Sequence, residues 1–508
     1  LILIALVLVV GAASCGPAVE ENRPKSPVQI ADSGRTGPAD EYDADWVESA
    51  TLAEFAEETV GIEALGVYIG ETKIGWAITE RTLGEHEGRP AAIDTYEMQF
   101  AMMFMGARKE TRVETRTIYS LEDGTILYAE QIQTEEQARI RIIALRRGDQ
   151  MEIATHNLGR VQKRTVPLPE ESLEQERELT IWLMRGPAEG ESFETSTVAW
   201  DQLEVDDPLK YVFVEKKSTW WFGVPTDVYV LDLVNRGATT QVEVETDGSI
   251  IRGNMGPIEL RAEDLSTVKR MEVSGIDLMV MIPLDRSLGD PTRVDSLTLE
   301  LTGIEGFELP DTSRQSLERS GENTGVLRIT REAPDAPSQP LAAGDRERFL
   351  AATPTHQADA PEIVELAREI VGDETDPVAR ADRLQQWVFS SLRKDSGADS
   401  ATALNVLDRR AGDCTEHTML FVALARAAGI PAREVGGIVY ADLEPPSFGW
   451  HAWAEIHDGA RWVSVDPTWN EVRVDATHIK LKQDDGDFSF VNLMGRLEVR
   501  VLAFESSP

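Results

Sequence analysis

The pair Asp458-Gly459 separates two runs of alternating character, Trp450 to Ile456 and Arg461 to Val465. Asp-Gly in such a place is a strong hairpin signal, because both central positions of a two-residue turn need positive φ. With Asp458 and Gly459 as the loop, His451 lies seven residues before Asp458 and Asp466 seven after Gly459. The pattern therefore predicts that they face each other across the ladder, on one side of the sheet, with Cβ atoms about 5 Å apart. The same register sends Ala454, Ile456, Val463 and Val465 to the opposite side, as a core requires. A carboxylate beside an imidazole fixes its tautomer and supports its protonated form.

Upstream, Cys414 to Ala428 carries apolar residues at helical spacing and stops at Gly429-Ile430-Pro431. Asp413 and Glu416 fit a capping box, as N-cap and third helical residue, which places Cys414 at the first helical position. Unpaired N–H groups and the macrodipole favour anions there, the setting that an ionised thiol needs. Gly412 is expected to give the preceding loop its freedom. Cys414, His451 and Asp466 together have the composition of a thiol nucleophile with its base and orienting carboxylate. A metal site drawn from Cys414, Glu416, His417, His451, His457 and Asp466 is the rival. Its spacing matches no compact zinc motif and it offers one thiol, so neither metal nor cofactor is expected.

The segments GDCTEH, HAWAEI and VDPTW, in that order, resemble the core of the bacterial transglutaminase-like superfamily, a relative of papain-type thiol enzymes. The resemblance covers roughly Pro361 to Leu481. It implies a papain-like α+β fold, with Cys414 as nucleophile, His451 as general base and Asp466 as orienting residue. Animal transglutaminases have Gln-Cys-Trp around the nucleophile, whereas this chain has Asp413-Cys414-Thr415; the resemblance stops short of glutamine crosslinking at that point. Trp387 is the candidate for their oxyanion-stabilising tryptophan. The implied activity is thiol acyl transfer, with hydrolysis of peptide or amide bonds as the first reading. Amine-transferring crosslinking, and a catalytically silent cell-envelope binding module, are the alternatives.

A chain of 508 residues is long for one domain. Its net charge of −39 would be repelled by a phosphate backbone, so no nucleic-acid partner is expected. Residues 1–15 read as a signal peptide: the apolar run Leu1 to Val10, then Gly11-Ala12-Ala13-Ser14 before Cys15, like a lipoprotein cleavage site. Lipidation of Cys15 would anchor the protein to a membrane, facing the periplasm or the outside; a secreted protein is the alternative. Residues 16–45, rich in Pro, Gly and Ser, read as a flexible tether.

Residues 46–285 are β-like, with alternating runs such as Gln137 to Leu145 and hairpin signals at Asp123-Gly124 and Asp247-Gly248. They predict a large antiparallel sheet of half-barrel or sandwich type. Trp220, Trp221, Phe222 and Tyr229 are core residues or a binding face. Residues 286–345 read as a small β segment and linker, with the Pro/Ala/Asp-rich run Glu332 to Ala360 read as the linker, and 346–508 as the catalytic domain. His478 is expected to be structural, with contact to substrate, a protein or peptide, as the alternative. The fold class is α+β: a large N-terminal antiparallel β domain followed by the catalytic α+β domain.

Overall fold

The computed structural model describes residues 43–104, 107–135, 138–157, 160–200, 203–221, 224–271, 281–334, 337–395, 402–482 and 489–507. The expected signal segment, Cys15, most of the tether and Phe222 lie outside them. No helix of the described residues is long and apolar enough to cross a membrane. The chain divides into two compact units, which meet in sequence at Ile276 and Asp277.

The first unit is built on a 14-stranded sheet of two meanders. They join where the first strand, Gly61–Ile69, pairs with the last, Ile258–Ala262. Both Asp-Gly hairpins form, and Gly124 and Gly248 take φ of +73° and +93°. The helix Leu173–Met184 is tied to the sheet by Arg81, which pairs with Glu176 and Asp94 at 2.7 and 2.6 Å. The aromatic residues read together do not share one face. Trp220 and Trp221 are consecutive on a strand and so point to opposite sides. Trp220 is 74% exposed, while Tyr229 is buried edge-on against Phe213.

The second unit begins well before the expected catalytic boundary. Strands Gln315–Arg319, Thr324–Thr330, Val294–Thr302 and Glu498–Ser506 form a four-stranded sheet, in which the C-terminal strand pairs with Val294–Thr302. Residues 286–345 therefore belong to this unit. The Pro/Ala/Asp-rich run read as a linker is packed down by polar contacts. Glu332 accepts from the Ser464 amide at 2.9 Å, Gln339 donates to the Ala460 carbonyl at 2.7 Å, and His356 pairs with Glu434 at 2.9 Å.

Helices Pro361–Val371, Pro377–Ser391, Ala403–Arg409 and Cys414–Ala427 share one apolar core with Ala454, Ile456, Val463 and Val465. These four residues are the set that alternation assigned to the core. Ser447–His457 is the central strand of a second sheet, flanked by Ala432–Ala441 and Trp462–Asp466, with His478–Lys482 beyond. The hairpin register differs from the two-residue expectation. His457 pairs with Trp462 and Ala454 with Val465, so the loop holds four residues. The Asp458 side chain accepts the amides of Ala460 and Arg461 at 2.7 and 2.9 Å, and this Asx-type closure outcompetes the tighter turn. The slip is two residues, so every side chain keeps its face.

Candidate active site

Cys414 is the first residue of its helix. The Asp413 side chain accepts the Thr415 amide at 2.8 Å, and the Asp413 amide donates to Glu416 at 2.8 Å, closing the capping box. Gly412 serves a different end from the expected loop freedom. A Cβ at this position would lie 2.2 Å from the Glu416 Cβ, so glycine is required for the fully buried Glu416 to reach back to the cap. Gly412→Ala is expected to push Glu416 off the cap, to cost about 1 kcal/mol or more, and to slow alkylation of Cys414. Unchanged melting temperature and labelling rate would remove this role from Gly412.

His417 lies one helical turn behind Cys414 and is fully buried, its Nδ1 2.6 Å from the Asp413 carbonyl. Burial pushes its pKa down, which leaves a neutral ring that donates from Nδ1.

His451 and Asp466 are brought together despite the register difference. They lie diagonally rather than directly opposite, yet Nε2 is 2.8 Å from the Asp466 Oδ2. With Nε2 turned to the carboxylate, Nδ1 is the ring nitrogen left for another partner, and Cys414 is near enough to raise the pKa of the ring. The Trp469 indole stacks flat on His451, with centroids 4.4 Å apart and planes 12° from parallel. The carboxylate's other oxygen, Oδ1, accepts the amides of Thr468 and Trp469 at 2.7 and 3.2 Å.

Electrostatics follow from this geometry. Burial works against a charged His451, but Asp466 and Cys414 outweigh it and raise the pKa from 6.5 to about 9. Burial likewise opposes ionisation of Asp466, and His451 and His478 reverse it, holding the carboxyl far below the usual range. Donor atoms of His451, Asp466 and His478, and of Glu471, Asp475 and His478, lie within 4.8 Å of one another. Hydrogen bonding engages the histidines of both groups: both His478 nitrogens and the His451 Nε2 face carboxylate oxygens. Trp387 is covered by the Arg410 guanidinium at 4.6 Å and packs on the helical core. A cavity of about 230 Å³ is bordered by Arg433, Trp453, Glu455, Trp462 and Lys480. Cys414, His451 and Asp466 are not among its walls.

Sequence reasoning missed two contacts. Trp469 belongs to the VDPTW motif, but its stacking depends on the turn after Asp466. His478 comes from another strand, and its contact with Asp466 needs a pairing that no local pattern encodes.

A thiol at a helix start, an imidazole on the adjoining sheet and a buried carboxylate beside it have the composition of a thiol nucleophile with a base and an orienting group. Residues 364–467 match the transglutaminase-like superfamily, so the C-terminal unit carries a transglutaminase-like domain. An uncharacterized Haemophilus influenzae protein is 36% identical over 99 residues, which is 18% of this chain and 27% of that protein. A Pseudomonas aeruginosa protein-glutamine gamma-glutamyltransferase is 37% identical over 82 residues, 15% of this chain and 12% of the relative. A solved structure from Cytophaga hutchinsonii, named as a candidate cysteine protease, aligns with a TM-score of 0.30 and 19% identity. That alignment covers 42% of this chain and 89% of that one.

Proposed function

We propose that the C-terminal unit is a cysteine acyl-transfer enzyme that hydrolyses peptide or amide bonds. The observation that carries this reading is His451 hydrogen-bonded to the buried Asp466 and stacked on Trp469, with Cys414 near enough to raise its pKa. In the proposed reaction His451 takes the Cys414 proton and Sγ attacks the amide carbonyl. The tetrahedral intermediate collapses as the leaving amine takes the proton from His451, and a thioester remains. Water, deprotonated by His451, then releases the acid and restores the thiol. Asp466 orients the ring and supports its charged form throughout.

The test is iodoacetamide labelling of the full chain from pH 5 to 10, followed by turnover of fluorogenic peptide amides with and without a primary amine. With His451 raised to about 9, the imidazolium form prevails below that pH, and reactivity linked to it should persist to that limit. His451→Ala is expected to slow labelling at pH 7 by roughly tenfold or more. Equal rates in both proteins at every pH would overturn the reading and favour a silent binding module. Amine incorporation exceeding hydrolysis would support transfer, the activity in the name of the Pseudomonas relative.

The envelope location is part of the proposal. Palmitate should label the wild type and not Cys15→Ala; label retained by the variant would remove the anchor.

A further inference from the structure

Asp466 accepts from a second imidazole. His478 is fully buried, with Nε2 3.2 Å from Asp466 Oδ2 and Nδ1 3.4 Å from Asp475 Oδ1. A neutral imidazole carries one N–H, so bridging two ionised carboxylates requires the doubly protonated ring. We propose that His478 is a positioning residue: an imidazolium that clamps Asp466 to Asp475 and so fixes the carboxylate against which His451 turns. This rests on the thiol-enzyme reading above.

The clamp is anchored on every side. Asp475 is held by the amide and hydroxyl of Thr477, both at 2.7 Å. Arg314 donates to the carbonyls of Asp475 and His478 at 2.6 and 2.7 Å, which pins the backbone of the turn. The His478 ring meets Trp453 and Trp469 edge-on, at 85° and 76°. Its strand is drawn close at Gly437, where a Cβ would meet the Ile479 carbonyl oxygen at 1.9 Å. Asp466 thereby receives four donors, two imidazole N–H groups on Oδ2 and two backbone amides on Oδ1. A carboxylate satisfied in this way has no freedom to rotate away from His451.

The charged groups facing the clamp are Asp466, Asp475, Glu471 and His451. Burial opposes the charge on His478, but Asp466 and Asp475 prevail and raise it to about 9. Glu471 is raised to about 7 by burial and by the neighbouring Asp475, so below that pH it adds no negative charge. The ring centroids of His451 and His478 are 6.0 Å apart. The cation on His478 therefore opposes protonation of His451, and removing it should make His451 more basic.

The experiment compares wild type, His478→Gln and Asp475→Asn by pH profiles of Cys414 alkylation and of peptide-amide turnover, with thermal unfolding as the check on folding. His478→Gln is expected to lower kcat by roughly ten- to a hundredfold with KM little changed. The alkaline limb should move upward by about one pH unit. Asp475→Asn removes an anion that supports the His478 charge, so its limb should also leave the wild-type position, and it decides the matter should the first variant not fold. A loss confined to packing would reduce folded protein without moving the limb. Unmoved limbs in the folded variants would overturn the clamp, provided that wild-type labelling depends on His451. Without that dependence it is the thiol-enzyme reading that falls.

Discussion

Cys414→Ala is expected to lower amide hydrolysis by about five to six orders of magnitude while leaving the fold intact. On the proposed mechanism the substitution deletes the atom that forms the covalent bond, and no other cysteine among the described residues can replace it. Little packing is lost, because Cys414 is only half-buried and its helix is held by Asp413 and Glu416 rather than by the thiol. Asp466→Asn is expected to cost less, about four orders. The nucleophile survives there, but the amide side chain cannot support the imidazolium. Hydrolysis of peptide amides, with thermal unfolding as control, measures both. Activity of Cys414→Ala within tenfold of wild type would end the thiol mechanism.

The local elements of this site were legible in the chain because they depend on short-range chemistry. A capping box needs only Asp413 and Glu416 three residues apart, and alternation around Ala454 and Val465 needs only a strand with one buried side. The hairpin shows how far such reasoning reaches. Period-two patterning fixes the face of His451 and Asp466, but the loop length depends on whether Asp458 caps two amides, a competition between turns that composition leaves open. Because the slip was even, the faces survived.

What was not legible comes from distant pairing. Val294–Thr302 finds its partner about two hundred residues later in Glu498–Ser506, so a segment that reads as a preface belongs to the same unit as Cys414. Pro- and Ala-rich composition at 332–360 suggested a linker, yet Glu332, Gln339 and His356 spend their polar groups on the sheet that bears His451 and on its loops. His478 joins Asp466 only because its strand lies beside Ala432–Ala441.

The same sheet carries the second large expected effect, on stability. Glu455→Ala should destabilise the C-terminal unit by about 3–5 kcal/mol. Both Arg433, through Nε and Nη2 at 2.9 and 2.7 Å, and Lys480, at 2.7 Å, converge on one oxygen of Glu455. All three side chains are buried, so truncating the acid takes from two buried cations the carboxylate that they share. Arg433 retains the face of Trp462 at 3.9 Å, which offsets only part of the loss. The pH dependence gives an independent check. Burial raises the Glu455 pKa, but Lys480 and Arg433 overcome it and lower the value from 4.5 to about 2. A depressed folded-state pKa stabilises above the unfolded value: the contribution, about 3 kcal/mol, is full above pH 4.5 and is lost as pH falls through about 2. Denaturant titration read by hydrogen exchange in Ala432–Ala441 and Ser447–His457 should show the deficit at pH 7, narrowing as the wild type is acidified. Equal stability of the two proteins at pH 7 would mean that the cations relax to solvent, and that the network contributes nothing to holding the strand that bears His451.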